Sequence, residues 1–381
     1  MITDRLRVLH VLEAVRGGTS RHVADVVRSA PDVDHHVALP PADRAAGSSG
    51  AVVDEASVAA MTGAGAVVHR MDMRRSVVHP ANPVAAAHLV ALCRRVRPDV
   101  VHGHSSVGGA LARLAGPAIR LPVVYTPNGV ATATAAVQIE RLLGRATAAL
   151  VAVSDSEAAL ARALRLIRPD RVHVIPNGID LDPPAATDVP DLMARLALRP
   201  GVALIGTVTR LVDQKAPGDF VAVCAEVIRR RPDAHGLLIG MGPLQAVVDG
   251  AVIREGLAGR FHQIHHLRRA DAVLDQLDVF VLASRFEGGP YTPLEAMRAG
   301  VPVVLTDVVG NRDVVETGRS GVLCEFGDID GLAGAVVDLL DDNRRRAAMV
   351  AAASTRLRER FDVRVMGAAL TDLYRSLAGK R

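Results

Sequence analysis

Short runs of β-branched residues alternate with longer helical stretches along the whole chain, and this alternation constrains the fold more than any other feature. It is typical of parallel sheets whose strands are joined by crossover helices. The alternation is interrupted at residues 180–191, where three prolines and little apolar periodicity predict a linker. Strands are expected before the linker at Leu6–Leu12, His36–Leu39, Val100–His102, Val123–Thr126, Leu150–Val153 and Val172–Ile175, and after it at Val202–Val208, Gly236–Gly240, Val279–Ala283 and Val301–Thr306.

The chain is also too long for one hydrophobic core. Its 381 residues predict two domains, each a doubly wound α/β sheet, with a cleft between them. We expect residues 1–183 to form the first domain and residues 190–361 the second. A C-terminal helix at about 362–381 is expected to pack back on the first domain. In such sheets ligands bind at the carboxyl ends of the strands, so the loops that follow the strands are the candidate binding segments.

Composition excludes several classes of function. Apolar residues make up 49% of the chain, which excludes a disordered protein. Aromatic residues make up only 2% and tryptophan is absent, which excludes a tryptophan-stacked sugar site and argues against an aromatic nucleic-acid platform. A net charge of +4 is too small for a nucleic-acid footprint, so no nucleic-acid partner is expected.

The cysteines and the apolar runs bear on the compartment. Three cysteines lie far apart without a CxxC pair, so neither a disulfide framework nor a zinc site is expected. No run approaches the roughly 20 apolar residues that a membrane helix needs, and the N-terminus lacks a small-residue cleavage site. These features predict a cytoplasmic protein.

Two loops could hold an anion. Gly17 and Gly18 follow the first strand and precede a helix, where glycines permit close approach of the backbone to a ligand. An ordinary turn between a strand and a helix would have the same sequence pattern. Arg210 and Lys215 follow the first strand of the second half, where two cations could bind a diphosphate. A solvated loop is the alternative, but Lys215 is one of only two lysines among 45 basic residues.

A glycine-rich turn in the second half carries two acids. Glu287 falls on the turn after an expected buried strand, and Gly288 and Gly289 follow it. Pro290 is expected at the first position of the next helix, and Glu295 lies about one turn further on. These carboxylates could accept hydrogen bonds from sugar or ribose hydroxyls, or could merely stabilise a helix N-terminus, and spacing alone does not decide.

These segments resemble glycosyltransferase family 4, the retaining nucleotide-sugar transferases of the two-lobed GT-B fold. Glu287 and Glu295 match the paired acids of that family, and the sequence EGGPYTPLEAMRAGVPVV around them is close to the motif of the family. The segment VIPNGID at residues 174–180 matches the end of its first lobe. The resemblance spans nearly the whole chain in the order of the family, and it implies the GT-B fold.

The resemblance also implies roles for the matching residues. Arg210 and Lys215 would neutralise the diphosphate as it leaves, in place of a metal. No metal and no cofactor are therefore expected, since the nucleotide sugar is a substrate. Glu295 would hold the nucleotide ribose, and Glu287 would hold a hydroxyl of the donor sugar and act as a catalytic residue with the two cations. The turn Gly288–Pro290 would lie beside that sugar, and the Gly17-Gly18 loop would approach the phosphates from the opposite lobe.

One position departs from the resemblance. Many relatives read Thr-Pro-His-Gly where this chain has Thr-Pro-Asn128-Gly. Asn128 can donate and accept hydrogen bonds but cannot move a proton at neutral pH. In retaining enzymes of this fold the departing phosphate is thought to take the proton of the acceptor, so activity can survive. Other acceptor-side or cleft candidates are His22, His102 and His104, for which the alternative is a structural or solvated histidine.

The resemblance implies transfer of a sugar, from a UDP-sugar by expectation, to a hydroxyl of a small natural-product or glycan acceptor. The alternatives are a transferase of lipid-linked polysaccharide assembly and a sugar-nucleotide epimerase of the same fold. A bilobal solute-binding protein would be exported. A pyridoxal-dependent phosphorylase would need a cofactor lysine, but Lys215 is better placed for a diphosphate and Lys380 is too near the end of the sequence. The small basic excess in the first half predicts at most a weak association with a membrane surface.

Overall fold

A computed structural model describes residues 5–15, 17–41, 53–73, 79, 82–183, 189–267 and 269–379. The chain divides into two compact units. The first unit comprises residues 1–178 and 362–381, and the second comprises residues 179–361. The division between Gly178 and Ile179 falls just before the segment for which the sequence predicts a linker.

The first unit is built on parallel strands with helices between them. Its strands are β1 (Arg7–Val11), β2 (Asp34–Leu39), β3 (Val67–Arg70), β4 (Val100–His104), β5 (Val123–Thr126), β6 (Ala149–Ala152) and β7 (Val172–Val174). Its helices up to this point are α1 (Gly18–Ser29), α2 (Glu55–Gly63), α3 (Asn82–Val96), α4 (Ser105–Ala118), α5 (Thr134–Gly144) and α6 (Asp155–Ala163). Over the described residues the strands form a seven-stranded sheet in the order β3-β2-β1-β4-β5-β6-β7.

The second unit repeats this plan. Its strands are β8 (Ala203–Val208), β9 (Ala234–Ile239), β10 (Phe261–Ile264), β11 (Val279–Leu282), β12 (Val303–Thr306) and β13 (Val322–Cys324). Its helices are α7 (Leu192–Arg195), α8 (Pro217–Arg230), α9 (Gln245–Arg254), α10 (Tyr291–Arg298), α11 (Asn311–Val314), α12 (Ile329–Asp341) and α13 (Asn343–Arg360). The described strands form a parallel sheet in the order β10-β9-β8-β11-β12-β13.

Each sheet reverses its strand order once. The reversal lies between β1 and β4 in the first unit and between β8 and β11 in the second. Loops that leave neighbouring strands at such a point run in opposite directions and open a crevice at the carboxyl ends, where ligands of this fold bind. The central strands are buried on both faces, which explains their continuous apolar runs.

A helix that follows the second unit in sequence completes the first. Helix α14 (Val363–Ala378) packs against α1, where a Cβ atom at Gly367 would lie 2.3 Å from Ser29 Oγ, so only glycine lets the two helices approach this closely. Leu370 and Tyr374 of α14 are fully buried in the core of the first unit. No helix in the described ranges is long and apolar enough to cross a membrane.

Candidate functional site

The predicted donor residues follow the two strands at the reversal point of the second sheet. Strands β8 and β11 pair directly, with Val279 opposite Ile205 and Phe280 opposite Gly206. Arg210 and Lys215 lie in the loop after β8, and the Glu287 turn follows β11. Parallel pairing therefore brings both loops to the same edge of the sheet.

Lys215 and Glu287 form an ion pair across these loops. Lys215 Nζ donates to Glu287 Oε1 at 2.6 Å, and the two side chains are 15% and 6% exposed. The side chain of Gln214 donates through Nε2 to the Phe286 carbonyl oxygen at 3.0 Å. The backbone carbonyl oxygen of Gln214 accepts from the Arg285 amide at 2.8 Å. Because a buried charge without its partner is costly, each member of the pair holds the other in place.

The segment Val309–Gly310 also supports the backbone of the Glu287 turn. The Glu287 amide donates to the Val309 carbonyl oxygen at 3.0 Å. Gly310 has φ +85°, and a Cβ atom there would lie 2.8 Å from the Glu287 carbonyl and from the Gly288 carbonyl oxygen. The turn can therefore sit this close only because residue 310 is glycine.

The remaining donor-side predictions lie near this pair in sequence, with one correction. Pro290 is the N-cap of α10 rather than its first helical residue, because its ψ of 134° is extended and the helix begins at Tyr291. Glu295 lies within α10 and is buried, as is Gly288, whereas Gly289 is half-buried. Arg210 is exposed and forms no ion pair with any residue that the structure describes.

The Gly17-Gly18 loop follows β1 at the reversal point of the first sheet. Gly17 is the N-cap of α1 with φ +72°, and Gly18 is the first residue of that helix. Among the described residues, leaving aside Gly17 itself and its chain neighbours, no atom lies within 4 Å of the position that a Cβ atom at Gly17 would occupy. The backbone conformation, rather than crowding within this unit, therefore requires glycine at Gly17.

The predicted acceptor-side histidines belong to a fully buried network in the first unit, and they are not solvent-facing. His102 and His104 lie two residues apart on β4, and His10 is opposite His102 in the register. His10 Nδ1 lies 3.1 Å from His104 Nε2, and His10 Nε2 lies 3.1 Å from His35 Nδ1. His22 on α1 contacts Asn177 Oδ1 through Nδ1 at 2.9 Å.

Burial keeps these imidazoles neutral. It lowers the pKa of His22 and of His35 from 6.5 to about 4. Desolvation, reinforced by the neighbouring imidazoles, holds the pKa values of His10, His102 and His104 well below the usual range. All five rings are therefore uncharged at neutral pH and act as hydrogen-bonding groups.

Three of these histidines are close enough to be considered as metal ligands. His10, His102 and His104 each offer a nitrogen within 4.8 Å of the others. Both nitrogens of His10 are occupied by other rings, and those of His102 face Tyr374 Oη at 2.6 Å and Thr126 Oγ1 at 2.8 Å. The trio could bind a metal only by breaking these bonds, so its present arrangement fits hydrogen bonding better.

Asn128 lies in the loop after β5. Its φ of +56° is left-handed, a conformation that asparagine and histidine both tolerate. Asn128 Nδ2 is 3.5 Å from the Thr126 carbonyl oxygen, which is a weak contact. The next amide, that of Gly129, donates to Glu157 Oε1 at 2.6 Å and fixes the loop.

Sequence reasoning misses four residues that these sites use. They are His10, His35, Tyr374 and Gln214. His10 could have been found from the sequence. It lies in a predicted strand, and a residue at the paired position of the neighbouring strand, here His102, faces the same side of the sheet. Gln214 could not have been found in this way, since its contact depends on the distance between two loops that are 72 residues apart.

Comparison with known proteins identifies the family. Residues 16–183 match the profile described as Glycosyltransferase Family 4, and residues 202–342 match the profile described as Glycosyl transferases group 1. The chain is 30% identical over 268 residues to an Escherichia coli protein named UDP-Gal:alpha-D-GlcNAc-diphosphoundecaprenol alpha-1,3-galactosyltransferase, covering 67% of this chain and 69% of that protein. It is 31% identical over 311 residues to the 2-deoxystreptamine N-acetyl-D-glucosaminyltransferase of Streptomyces fradiae, covering 76% and 73%.

Solved structures agree on the fold. The Anabaena protein HepE in complex with UDP and glucose superposes with a TM-score of 0.82 at 18% identity, covering 97% of this chain and 100% of that one. The sucrose-phosphate synthase of Thermosynechococcus elongatus gives a TM-score of 0.81 at 18% identity, covering 99% and 100%. With both units matched by family profiles, the chain belongs to glycosyltransferase family 4 and is a nucleotide-sugar glycosyltransferase of the GT-B fold.

Proposed function

We propose that the chain transfers a sugar, with retention of configuration, from a UDP-sugar to a hydroxyl of a small natural-product or glycan acceptor. The Lys215–Glu287 pair at the reversal point of the second sheet is the observation that carries this proposal. It sets a cation and a carboxylate side by side, one suited to a phosphate and the other to a hydroxyl. The E. coli relative is named for UDP-Gal, and HepE was solved with UDP and glucose, which favours UDP among the nucleotides.

The proposed reaction breaks the bond between the anomeric carbon and the diphosphate and forms a bond from that carbon to the acceptor oxygen. Arg210 and Lys215 would stabilise the negative charge that develops on the leaving diphosphate. Glu287 would accept a hydrogen bond from the donor sugar, and Glu295 would hold the ribose. The acceptor proton would pass to the departing phosphate, so no protein base is required at Asn128.

The natural-product and lipid-linked acceptors each have support. The S. fradiae relative is named for 2-deoxystreptamine, a small acceptor, and the E. coli relative for a diphosphoundecaprenol-linked sugar. The small acceptor is our proposal, because the basic excess that could attract an anionic membrane surface is mild. We also propose a cytoplasmic location, since the three cysteines are free thiols and none is fully exposed.

A donor screen tests the proposal. UDP-, GDP-, ADP- and dTDP-sugars are incubated with the protein, alone and with either 2-deoxystreptamine or a polyprenyl-diphosphate-linked sugar. We expect transfer from a UDP-sugar to the small acceptor, with the anomeric configuration kept in the product's NMR spectrum. An isomerised nucleotide sugar formed without acceptor would instead indicate an epimerase.

Turnover should not depend on a divalent metal. Two cationic side chains supply the charge that would otherwise come from a metal, and Arg210 is unpaired among the described residues. We expect full turnover in excess EDTA. Loss of activity that magnesium restores would contradict this prediction.

Glu295→Ala should weaken binding of the nucleotide alone. Loss of charge-assisted hydrogen bonds to the ribose costs about 1.5–3 kcal/mol, or roughly 10- to 150-fold in Kd. Glu287→Ala should leave UDP bound but impair sugar placement. The affinity for UDP should change by a smaller amount, because Lys215 loses its partner. Calorimetry with UDP separates the two, and equal losses of affinity would argue against the assigned roles.

Asn128→His should not raise turnover. Histidine tolerates the left-handed backbone at this position, so the variant should fold. A neutral imidazole and a carboxamide offer similar hydrogen bonds, so binding should change by only about 1 kcal/mol. The check is a pH–rate profile of both proteins, in which a tenfold gain with a new limb near pH 6–7 would reveal a need for a base.

A further inference from the structure

One backbone atom sets the direction of the hydrogen bonds along three buried histidines. His35 Nε2 lies 3.1 Å from the Ala30 carbonyl oxygen, which can only accept, so this nitrogen carries the proton. His35 is neutral, so its Nδ1 is bare and accepts from His10 Nε2. His10 Nδ1 is then bare in turn and accepts from His104 Nε2. The chain of bonds therefore ends in a bare nitrogen, His104 Nδ1.

A single hydrogen bond to Asn177 fixes the tautomer of His22. The amide oxygen of Asn177 accepts from His22 Nδ1 at 2.9 Å, which leaves His22 Nε2 bare. Neither His104 Nδ1 nor His22 Nε2 has a hydrogen-bond partner among the residues that the structure describes. The two ring centroids are 5.5 Å apart, and both side chains are fully buried. Two neighbouring nitrogen lone pairs therefore have no protein donor among the described residues.

The pair lies at the edge of the sheet where ligands of doubly wound folds bind. His104 ends β4 and is the N-cap of α4, and His22 lies one turn into α1 behind Gly17, so both occupy the reversal point of the first sheet. Bare nitrogens repel anions, and an uncompensated cation is disfavoured in a buried site. The chemistry that suits the pair is therefore an uncharged hydroxyl.

We propose that His35 and His10 are positioning residues that hold His104 in a single tautomer, and that His104 Nδ1 and His22 Nε2 accept hydrogen bonds from hydroxyls of the acceptor substrate. This assignment rests on the proposed transferase function. It gives the bare nitrogens the donors that they lack, and it explains why a buried chain of histidines leads to the carboxyl edge of the sheet. A protein amide at Asn177 and a carbonyl at Ala30 serve as the fixed ends.

Nitrogen NMR of the unliganded protein tests the tautomers directly. With ¹⁵N-labelled histidine, we expect protons on Nε2 of His35, His10 and His104 and on Nδ1 of His22. His35→Leu removes the fixed end and should give His104 a mixture of tautomers. His35→Gln should restore the single tautomer, because its amide group can donate to Ala30 and accept from His10. His36→Leu is the matched control on the same strand, since His36 bonds to His69 instead.

Kinetics test the substrate contact. With the acceptor that turns over fastest in the donor screen, His35→Leu should raise the acceptor KM about tenfold with little change in kcat or in the donor KM, the loss expected for one hydrogen bond. His35→Gln and His36→Leu should behave like the wild type. Adding that acceptor should also shift the resonances of His104 Nδ1 and His22 Nε2.

Several results would overturn the assignment. They are a proton on His104 Nδ1 in the wild type, His35→Leu kinetics equal to those of His36→Leu, and stoichiometric binding of Zn²⁺ alone at His22 and His104. If no donor and acceptor pair turns over, the transferase proposal fails. The tautomer measurement then still decides separately whether the histidine chain is ordered as described.

Discussion

Replacing Lys215 with alanine should lower turnover by about 30- to 1000-fold, since a charge-assisted contact to a leaving phosphate stabilises the transition state by roughly 2–4 kcal/mol. The variant should also be less stable. Glu287 is only 6% exposed, and loss of the cation 2.6 Å away leaves its carboxylate buried without a counter-ion, with Gln214 Nε2 as a neutral donor at 3.4 Å. Breaking such a pair typically costs about 3–5 kcal/mol. Steady-state rates and thermal unfolding, measured on the same preparation, give both quantities.

A double variant tests the stability effect by itself. Lys215→Ala with Glu287→Gln removes the uncompensated charge, so thermal stability should return. Turnover should stay low, because both residues act on the donor. Arg231→Ala serves as a control, because it breaks ion pairs with Asp233 and Asp341 away from the donor loops and should leave the rate unchanged. Near wild-type turnover in the single variant would mean that the loop after β8 is ordinary surface.

The first unit should lose stability steeply in mild acid. The folded-state pKa values of His22 and His35 are about 4, below the value of 6.5 expected in the unfolded chain. The unfolded state therefore binds protons first as the pH falls. Stability is complete above pH 6.5 and is lost toward pH 4, by up to about 3 kcal/mol for each of these two groups. Because domains are typically stable by only about 5–15 kcal/mol, the combined loss should bring this unit close to unfolding.

Urea unfolding at a series of pH values from 8 to 4.5 measures this loss. Two of the three tyrosines, Tyr125 and Tyr374, lie in the first unit, so tyrosine signals report mainly on it. His35→Gln should reduce the pH dependence by up to about 1.4 kcal/mol per pH unit, the slope for one proton. His88→Gln changes an exposed residue of α3 and should leave the slope unchanged. A flat response between pH 7 and 4.5 would contradict the prediction.

The central strands could be predicted from the sequence because burial on both faces leaves a continuous apolar run. The sequence predicts strand β11 at Val279–Ala283, and it lies at Val279–Leu282. The sequence does not predict strands β3, β10 and β13. They lie at or beside the sheet edges, where one face meets solvent, as at Val67 in β3, which is 47% exposed. Their apolar runs are correspondingly short, and nothing local distinguishes them from loops.

Sequence reasoning placed Lys215 and Glu287 in one site, but their contact required the structure. Motif spacing puts each residue in a loop at the carboxyl edge of a sheet. Whether the two side chains reach one another depends on the pairing of β8 with β11 and on the support that Gly310 gives to the turn. The histidine chain is a similar case, since it depends on β2, β1 and β4 being neighbours and on the Ala30 carbonyl at the end of α1.

The return of helix α14 to the first unit has a consequence for the order in which the chain can fold as it is synthesised. The second unit is continuous from residue 179 to residue 361, so all of its strands have been made before α14 emerges from the ribosome. The first unit is made earlier, yet it lacks Leu370 and Tyr374, and His102 lacks the tyrosine hydroxyl to which it bonds. The half of the protein that is translated first must therefore wait with an open apolar face until the other half is complete.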